Sequence, residues 1–181
     1  LDQLLLSLGL FGSRSRARDA IVRGTVKVNG QVVSKPGQTF PEDATIEIDD
    51  PAQDYVSRAA LKLVAALDHF HLDPAGRSCL DVGASTGGFT QVLLQRGAAH
   101  VTAIDVGHGQ MHPTIADDPR VTSIEGLNAR ALCADDLDGR PIDFIVSDVS
   151  FISLRLALPP ALKFAGSKAI CVLLVKPQFE A

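Results

Sequence analysis

The spacing of apolar positions changes along this chain and separates a short opening segment from a longer remainder. Residues 2 to 10 place Leu4, Leu5 and Leu8 at helical spacing before Gly9. Residues 14 to 23 turn Ala17, Ala20 and Ile21 to one face, with Ser13 at the N-cap position and Gly24 as a stop. Two short helices are therefore predicted. The period then falls to two. In Thr25-Val-Lys-Val-Asn-Gly-Gln-Val-Val33, alternating strands flank Asn29-Gly30, the strongest local signal for a type I′ hairpin. A further strand at 45 to 48, with Pro36, Pro41 and Pro51 punctuating the loops, completes a small α+β unit over residues 1 to 50.

Residues 51 to 57 read as a linker. Ser57 then caps a helix from 58 to about 70, with an apolar stripe of Leu61, Val64, Ala65 and Leu67. Strand-like runs follow at 78 to 82, 101 to 105, 121 to 124, 144 to 148 and 169 to 175, spaced so that helices fit between them. Such alternation predicts an α/β domain over 58 to 181, with a parallel sheet covered on both faces and ligands bound beyond the carboxyl ends of its strands.

Charge sharpens this division. The net charge is -4, but the first 40 residues hold six Arg or Lys against two Asp, and the rest hold eleven basic against nineteen acidic groups. The two parts are thus expected to meet different partners. No apolar run approaches the roughly 18 residues that span a bilayer, and residues 169 to 175 lie between Lys168 and Lys176. The opening segment shows no targeting signal, so a cytoplasmic, non-membrane protein is expected. Cys79, Cys133 and Cys171 are widely spaced, and two of them sit in strand-like runs, which suggests reduced core thiols. His108 and His112 are four apart but flanked by Gly107 and Gly109, with no acidic or thiol partner close by, so no metal site is expected.

Chemistry gathers at the strand ends. The first strand of the second domain runs into Asp81-Val-Gly83-Ala-Ser-Thr-Gly87-Gly88, and a helix follows from Phe89 to a stop at Gly97. A tight glycine turn can be purely structural. Here, however, no Gly-Lys-Ser/Thr is present to cradle a triphosphate, and the spacing departs from GxGxxG. Asp81 stands beside the turn, and Asp105 ends the next strand where a ribose-binding acid is expected. Acids suit a cationic ligand. S-adenosylmethionine carries an ammonium, a sulfonium and a ribose diol but no phosphate, so carboxylates and glycine amides complement it.

The turn and Asp105 resemble the first two motifs of Rossmann-like methyltransferases. By that resemblance Gly83 and Gly87 approach the methionine part, Asp105 binds the ribose hydroxyls, and Glu125 or Asn128 lies near adenine. Asp81, Ser85, Thr86, Gly88, Phe89 and Val106 complete the implied cofactor set. The opening run "LDQLLLSLGLFGSRSRARDAIVRGTVKVNGQVVSKPG" resembles the S4 RNA-binding domain. An arginine-rich helix face taken alone is ordinarily just solvated. The resemblance instead implies that Arg14, Arg16, Arg18, Arg23 and Lys27 contact RNA phosphates, which position the RNA without reading its sequence.

Asp148 closes the strand at 144 to 148, Lys176 follows the next strand, and Lys62 lies on the entering helix. Their order resembles the catalytic Lys-Asp-Lys-Glu set of FtsJ-like ribose 2′-O-methyltransferases. The phrases "YVSRAALKL", "DVGASTGGFT", "SDVSFISL" and "LLVKPQFE" resemble the hemolysin-A (TlyA) family, over residues 55 to 181. The resemblance implies S-adenosylmethionine-dependent methylation of a ribose, on cytidine in ribosomal RNA, with Lys176 as base, Asp148 orienting it and Lys62 supporting the ribose or its neighbouring lysine. No metal is required. A lysine stripped of water beside a second cation gives up its proton more readily, which suits that task.

The family's final Glu belongs to a later strand, and Glu180 follows Lys176 too closely to replace it. The expectation is a Rossmann-like domain lacking the last strands of a seven-stranded sheet, inactive or weakly active as it stands. Two other functions compete: a non-catalytic RNA-binding protein, and the pore-forming activity that the family name suggests.

Overall fold

A computed structural model describes all 181 residues, and the chain divides into two compact units, Leu1–Asp54 and Tyr55–Ala181. The stretch read as a linker is shared between them, because Ala52 is buried with the first unit while Val56 donates its N–H to Gln91 Oε1 within the second.

In the first unit, α1 (Asp2–Ser7) and α2 (Arg14–Val22) pack on a sheet of β1 (Val26–Val28), β2 (Gln31–Val32) and β3 (Ile46–Ile48), in the order β2-β1-β3 with antiparallel pairing. Ser13 caps α2, its side chain accepting from Arg16 N–H. Asn29 and Gly30 both take positive φ, as a type I′ turn requires. Leu5, Ala17, Ala20, Ile21 and Val26 form a fully buried core. Leu8, by contrast, is largely exposed, because α1 ends at Ser7 and its apolar contact is made by Leu5.

The second unit contains α3 (Ala60–His69), β4 (Ser78–Val82), α4 (Gly88–Gln95), β5 (His100–Asp105), α5 (Pro113–Ala116) and β6 (Val121–Glu125). It continues with β7 (Ile142–Ser147), α6 (Leu154–Ala157), α7 (Pro159–Leu162), β8 (Ala165–Leu173) and α8 (Pro177–Glu180). The sheet is parallel throughout, in the order β6-β5-β4-β7-β8. It has five strands where the resemblance implies seven. Strand order reverses between β4 and β7, so a crevice opens beyond their carboxyl ends.

Strand alternation sorts side chains between two cores. Cys79, Phe144, Val146, Ile170 and Val172 face α3 and α4, while Leu80, Val82, Ile145 and Leu173 face the opposite layer. Two expectations are corrected here. The inward face of α3 is Ala60, Leu63 and Leu67, with Ala65 turned outward. Apolar residues occupy so many positions of this helix that its sequence does not single out one face. Cys171 is exposed on β8, the edge strand of the sheet, and only Cys79 is a core thiol; all three cysteines are free.

Phe144 is among the largest fully buried side chains and joins the core between the sheet, α3 and α4. Phe144→Ala is expected to destabilise the second unit by about 3–5 kcal/mol, read from its denaturant-induced unfolding. The transition of the first unit should not move.

Candidate active site

The glycine turn between β4 and α4 is shaped by backbone geometry that few side chains tolerate. Gly83 and Gly87 have φ of +85° and +91°, and a Cβ on Gly83 would stand 2.8 Å from Val149 Cγ1. Gly87 is the N-cap of α4, so the amide-rich end of that helix faces the crevice. Asp105 closes β5 and fixes the turn from the other side, accepting from Ser85 N at 2.8 Å and from Gly107 N at 2.7 Å.

Asp81 follows Cys79 by one strand period and so points into the α4-side core. It is 1% exposed, and its Oδ2 accepts from Thr90 Oγ1 at 2.7 Å, while Oδ1 is buried without a hydrogen-bond partner. Burial pushes this carboxyl up to about 7, against the lowering effect of Thr90.

Across the switch point, three charged side chains meet. Asp148 continues the alternation of Phe144 and Val146, and Lys176 that of Ile170 and Val172, which brings both to the α3 side. Lys62 Nζ donates to Asp148 Oδ2 at 2.8 Å. Lys176 Nζ forms an ion pair with Asp148 Oδ1 at 2.7 Å, and its hydrogen bonds run to Ser150 Oγ at 2.6 Å and Asp148 O at 3.4 Å. Lys62 keeps 47% of its side chain exposed, against 19% for Lys176, so Lys176 is the more desolvated cation.

Both halves line one cavity of about 670 Å³, a size suited to a nucleoside-sized ligand. Of the residues expected to bind cofactor, it is lined by Gly83, Ser85, Thr86, Gly88, Phe89, Asp105, Val106 and Asn128. Asp81, Gly87 and Glu125 stand outside its lining. Glu125 is committed to the backbone N–H groups of Met111, Gly109 and Gln110, which hold its carboxyl below the usual carboxylate range. It shapes the loop after β5, and Asn128 is the one of the two adenine candidates that faces the cavity.

Sequence reasoning missed Gln110, whose Oε1 accepts from Ser85 Oγ at 3.2 Å, and Ser150. It also missed Phe151, a cavity-lining ring 91% exposed with a φ of +64°. An aromatic directly after Asp-Val-Ser was the available signal for Phe151. Nothing in the spacing of Gln110 marks it.

In the first unit, Arg14 Nε donates to the buried Asp2 at 2.8 Å and Arg18 Nε lies 4.0 Å from the same carboxylate. Arg16 reaches Ala52 O, and Arg23 pairs with Asp19 and Asp50. Lys27 is exposed on β1. The five residues therefore do not form a uniformly free surface: Arg14, Arg18 and Lys27 are the open positions.

The parallel sheet with its crevice defines an α/β domain of the kind that binds nucleotide-like ligands, preceded in the chain by a small α+β unit. The chain belongs to the FtsJ-like methyltransferase family, whose model matches residues 55–181, and residues 1–46 match the S4 domain. It is 46% identical over 181 residues to the 16S/23S rRNA (cytidine-2′-O)-methyltransferase TlyA of Mycobacterium tuberculosis, covering 99% of this chain and 67% of that protein. Hemolysin A of Brachyspira hyodysenteriae is 42% identical, with 100% of this chain and 75% of that protein covered. A solved structure of a hemolysin candidate from Streptococcus thermophilus superposes with a TM-score of 0.74 at 41% identity, over 99% of this chain and 66% of that one. The chain thus spans about two thirds of the length of the Mycobacterium protein and of the Streptococcus structure.

The raised Asp81 carboxyl has a consequence for stability. A folded value above the unfolded one means stability that is complete below the unfolded value of about 3.8 and is lost as pH rises through about 7. Asp81→Asn should remove most of that loss. Melting curves from pH 4 to 8 should show wild type falling relative to the variant by a few kcal/mol, with a plateau above about 7.

Proposed function

We propose that this chain carries the catalytic site of an S-adenosylmethionine-dependent methyltransferase acting on the ribose 2′-oxygen of cytidine in ribosomal RNA, in the cytoplasm. The observation that carries the reading is the Lys62–Asp148–Lys176 cluster, set in one cavity with the glycine turn and Asp105. Family membership and the name of the Mycobacterium relative, a cytidine-2′-O-methyltransferase, support it.

The residues fit the cofactor. The only lysines or arginines lining the cavity are Lys62 and Lys176, both drawn to Asp148, so the glycine turn has no cation for a phosphate. Asp105 lines the cavity beside the turn and offers carboxylate oxygens for a ribose diol. When bound, the cofactor supplies an electrophilic methyl group on a sulfonium.

The protein's own residues handle the alcohol. Two ammonium groups share one carboxylate, so the cluster carries one surplus positive charge when all three groups are ionised. Lys176 Nζ, the more withdrawn of the two from solvent, is the group placed to take the 2′-hydroxyl proton as the methyl group transfers. Asp148 keeps Nζ in place throughout, and Lys62, on the exposed side, orients the ribose. Phe151 presents a ring at the cavity on which a single-stranded base can stack.

Assayed in the full-length protein with ribosomal RNA, Lys176→Ala should lower turnover by roughly 10²–10⁴-fold and leave cofactor affinity within about twofold, since cofactor contacts lie elsewhere. Lys176→Arg should not recover activity, because a guanidinium keeps its proton. A wild-type rate in Lys176→Ala would overturn the assignment. Mapping of 2′-O-methyl groups in ribosomal RNA from cells with and without the gene should reveal a missing methyl on cytidine.

RNA delivery is assigned to the open arginines of α2. Replacing Arg14 and Arg18 by Glu should weaken RNA binding and reduce the slope of log affinity against log salt by about 2. Titrations at several salt concentrations check this, and an unchanged slope would place the RNA elsewhere.

A further inference from the structure

The segment leaving β8 reaches back twice to the loop leaving β7. At its start, Lys176 Nζ meets Asp148 and Ser150. At its end, Glu180 Oε1 accepts from Leu154 N at 2.7 Å and Oε2 accepts from Ser153 Oγ at 2.7 Å. Only residues 151 and 152 lie between the two anchored stretches, and there Phe151 holds a positive φ with its ring 5.4 Å from that of Phe179.

This arrangement is unusual for a surface glutamate. The N–H of Leu154 is one of the donors that a helix start leaves without an internal partner, and α6 has only four residues to stabilise itself. Ser153 already accepts from Arg155 N at 3.1 Å in the capping position, so Glu180 supplies the second cap from the far side of the site. The same bonds, led by that from Leu154, hold the Glu180 carboxyl below its ordinary range, so it is ionised at neutral pH. Glu180 does not line the cavity. It therefore has no direct role with substrate.

We propose that Glu180 is a positioning residue: its bonds to Ser153 and Leu154 clamp the 148–153 loop to the segment that carries Lys176, so that Asp148 and Ser150 stay on Lys176 Nζ. The inference rests on the reading of Lys176 as the base. A base displaced by about 1 Å loses about two orders of magnitude in rate, so a clamp at a few residues' distance acts on turnover and not on cofactor binding. Gln at this position keeps the amide-accepting oxygen and can donate to the Ser153 hydroxyl, whereas Ala keeps neither bond.

The test uses Glu180→Ala, Glu180→Gln and Ser153→Ala in the full-length protein. Single-turnover methyl transfer to ribosomal RNA should fall at least about tenfold in Glu180→Ala, with cofactor affinity unchanged and the pH–rate midpoint of the base displaced. Glu180→Gln should recover rate and midpoint, and Ser153→Ala should fall between and add nothing to Glu180→Ala. A wild-type rate in Glu180→Ala, an equal loss of cofactor affinity, or a Gln variant as slow as Ala would overturn the proposal. Amide exchange gives a reading independent of activity: protection of Leu154 should drop in Glu180→Ala and persist in Glu180→Gln. Absence of methyl transfer in the wild type would sink the functional reading, while unchanged Leu154 protection would sink the clamp.

Discussion

One carboxylate between two ammonium groups organises the second unit. Asp148 lies 86 residues from Lys62 and 28 from Lys176, and it holds both within 2.8 Å. Neither lysine could hold its place alone, since each is long, flexible and otherwise drawn to water. The carboxylate is placed by strand register: β7 pairs with β4 on one side and β8 on the other, so the ends of all three strands reach the crevice together. Removing the acid would leave two like charges facing each other with one side chain largely withdrawn from solvent, a costly arrangement.

The reversal of strand order between β4 and β7 gives the cavity two electrostatic halves. On the β4–β5 side, Asp105 braces the glycine turn and Asp81 sits behind it; on the β7–β8 side, the lysine pair takes over. Their closeness matters because a methyl donor that is cationic and an alcohol that must lose a proton have opposite needs, and both must reach one point. Asp81 illustrates the cost. An acid occupies a strand position whose neighbour two residues back, Cys79, is pure core, and the loss of hydration is only partly offset by Thr90.

Much of this was legible in the sequence because local chemistry determined it. Asn29-Gly30 turns where two consecutive residues must take positive φ, and Ser13 caps α2 through a neighbour three residues on. Lys62, Asp148 and Lys176 could be picked out by motif, and parity along each strand brings the latter two to one face. What could not be read depends on partners distant in sequence. Glu125 looks like a ligand-binding acid at a strand end, yet the three N–H groups it serves belong to a loop fourteen to sixteen residues earlier. Glu180 looks like a solvated charge until α6 is seen to start against it. The inward face of α3 is hidden because its composition is apolar nearly all round, and the exposure of Cys171 because residues 169 to 175 are apolar at every position and do not show which side of the strand is covered.

The first unit repeats the two-to-one arrangement with a different outcome. Asp2 is buried at 4% exposure and faces the guanidinium groups of Arg14 and Arg18, both more than half exposed, so one positive charge is again in excess. Arginine does not release its proton, so this excess is permanent and turned to solvent, and a carboxylate that holds the guanidinium forks in advance lowers the entropy lost when they meet an anion. Lysine, unlike arginine, is a group that can act as a base. The same stoichiometry of one acid to two bases thus holds two fixed guanidinium charges toward solvent in one unit and two ammonium groups at a cavity in the other, and the choice between Arg and Lys decides the chemistry each can offer.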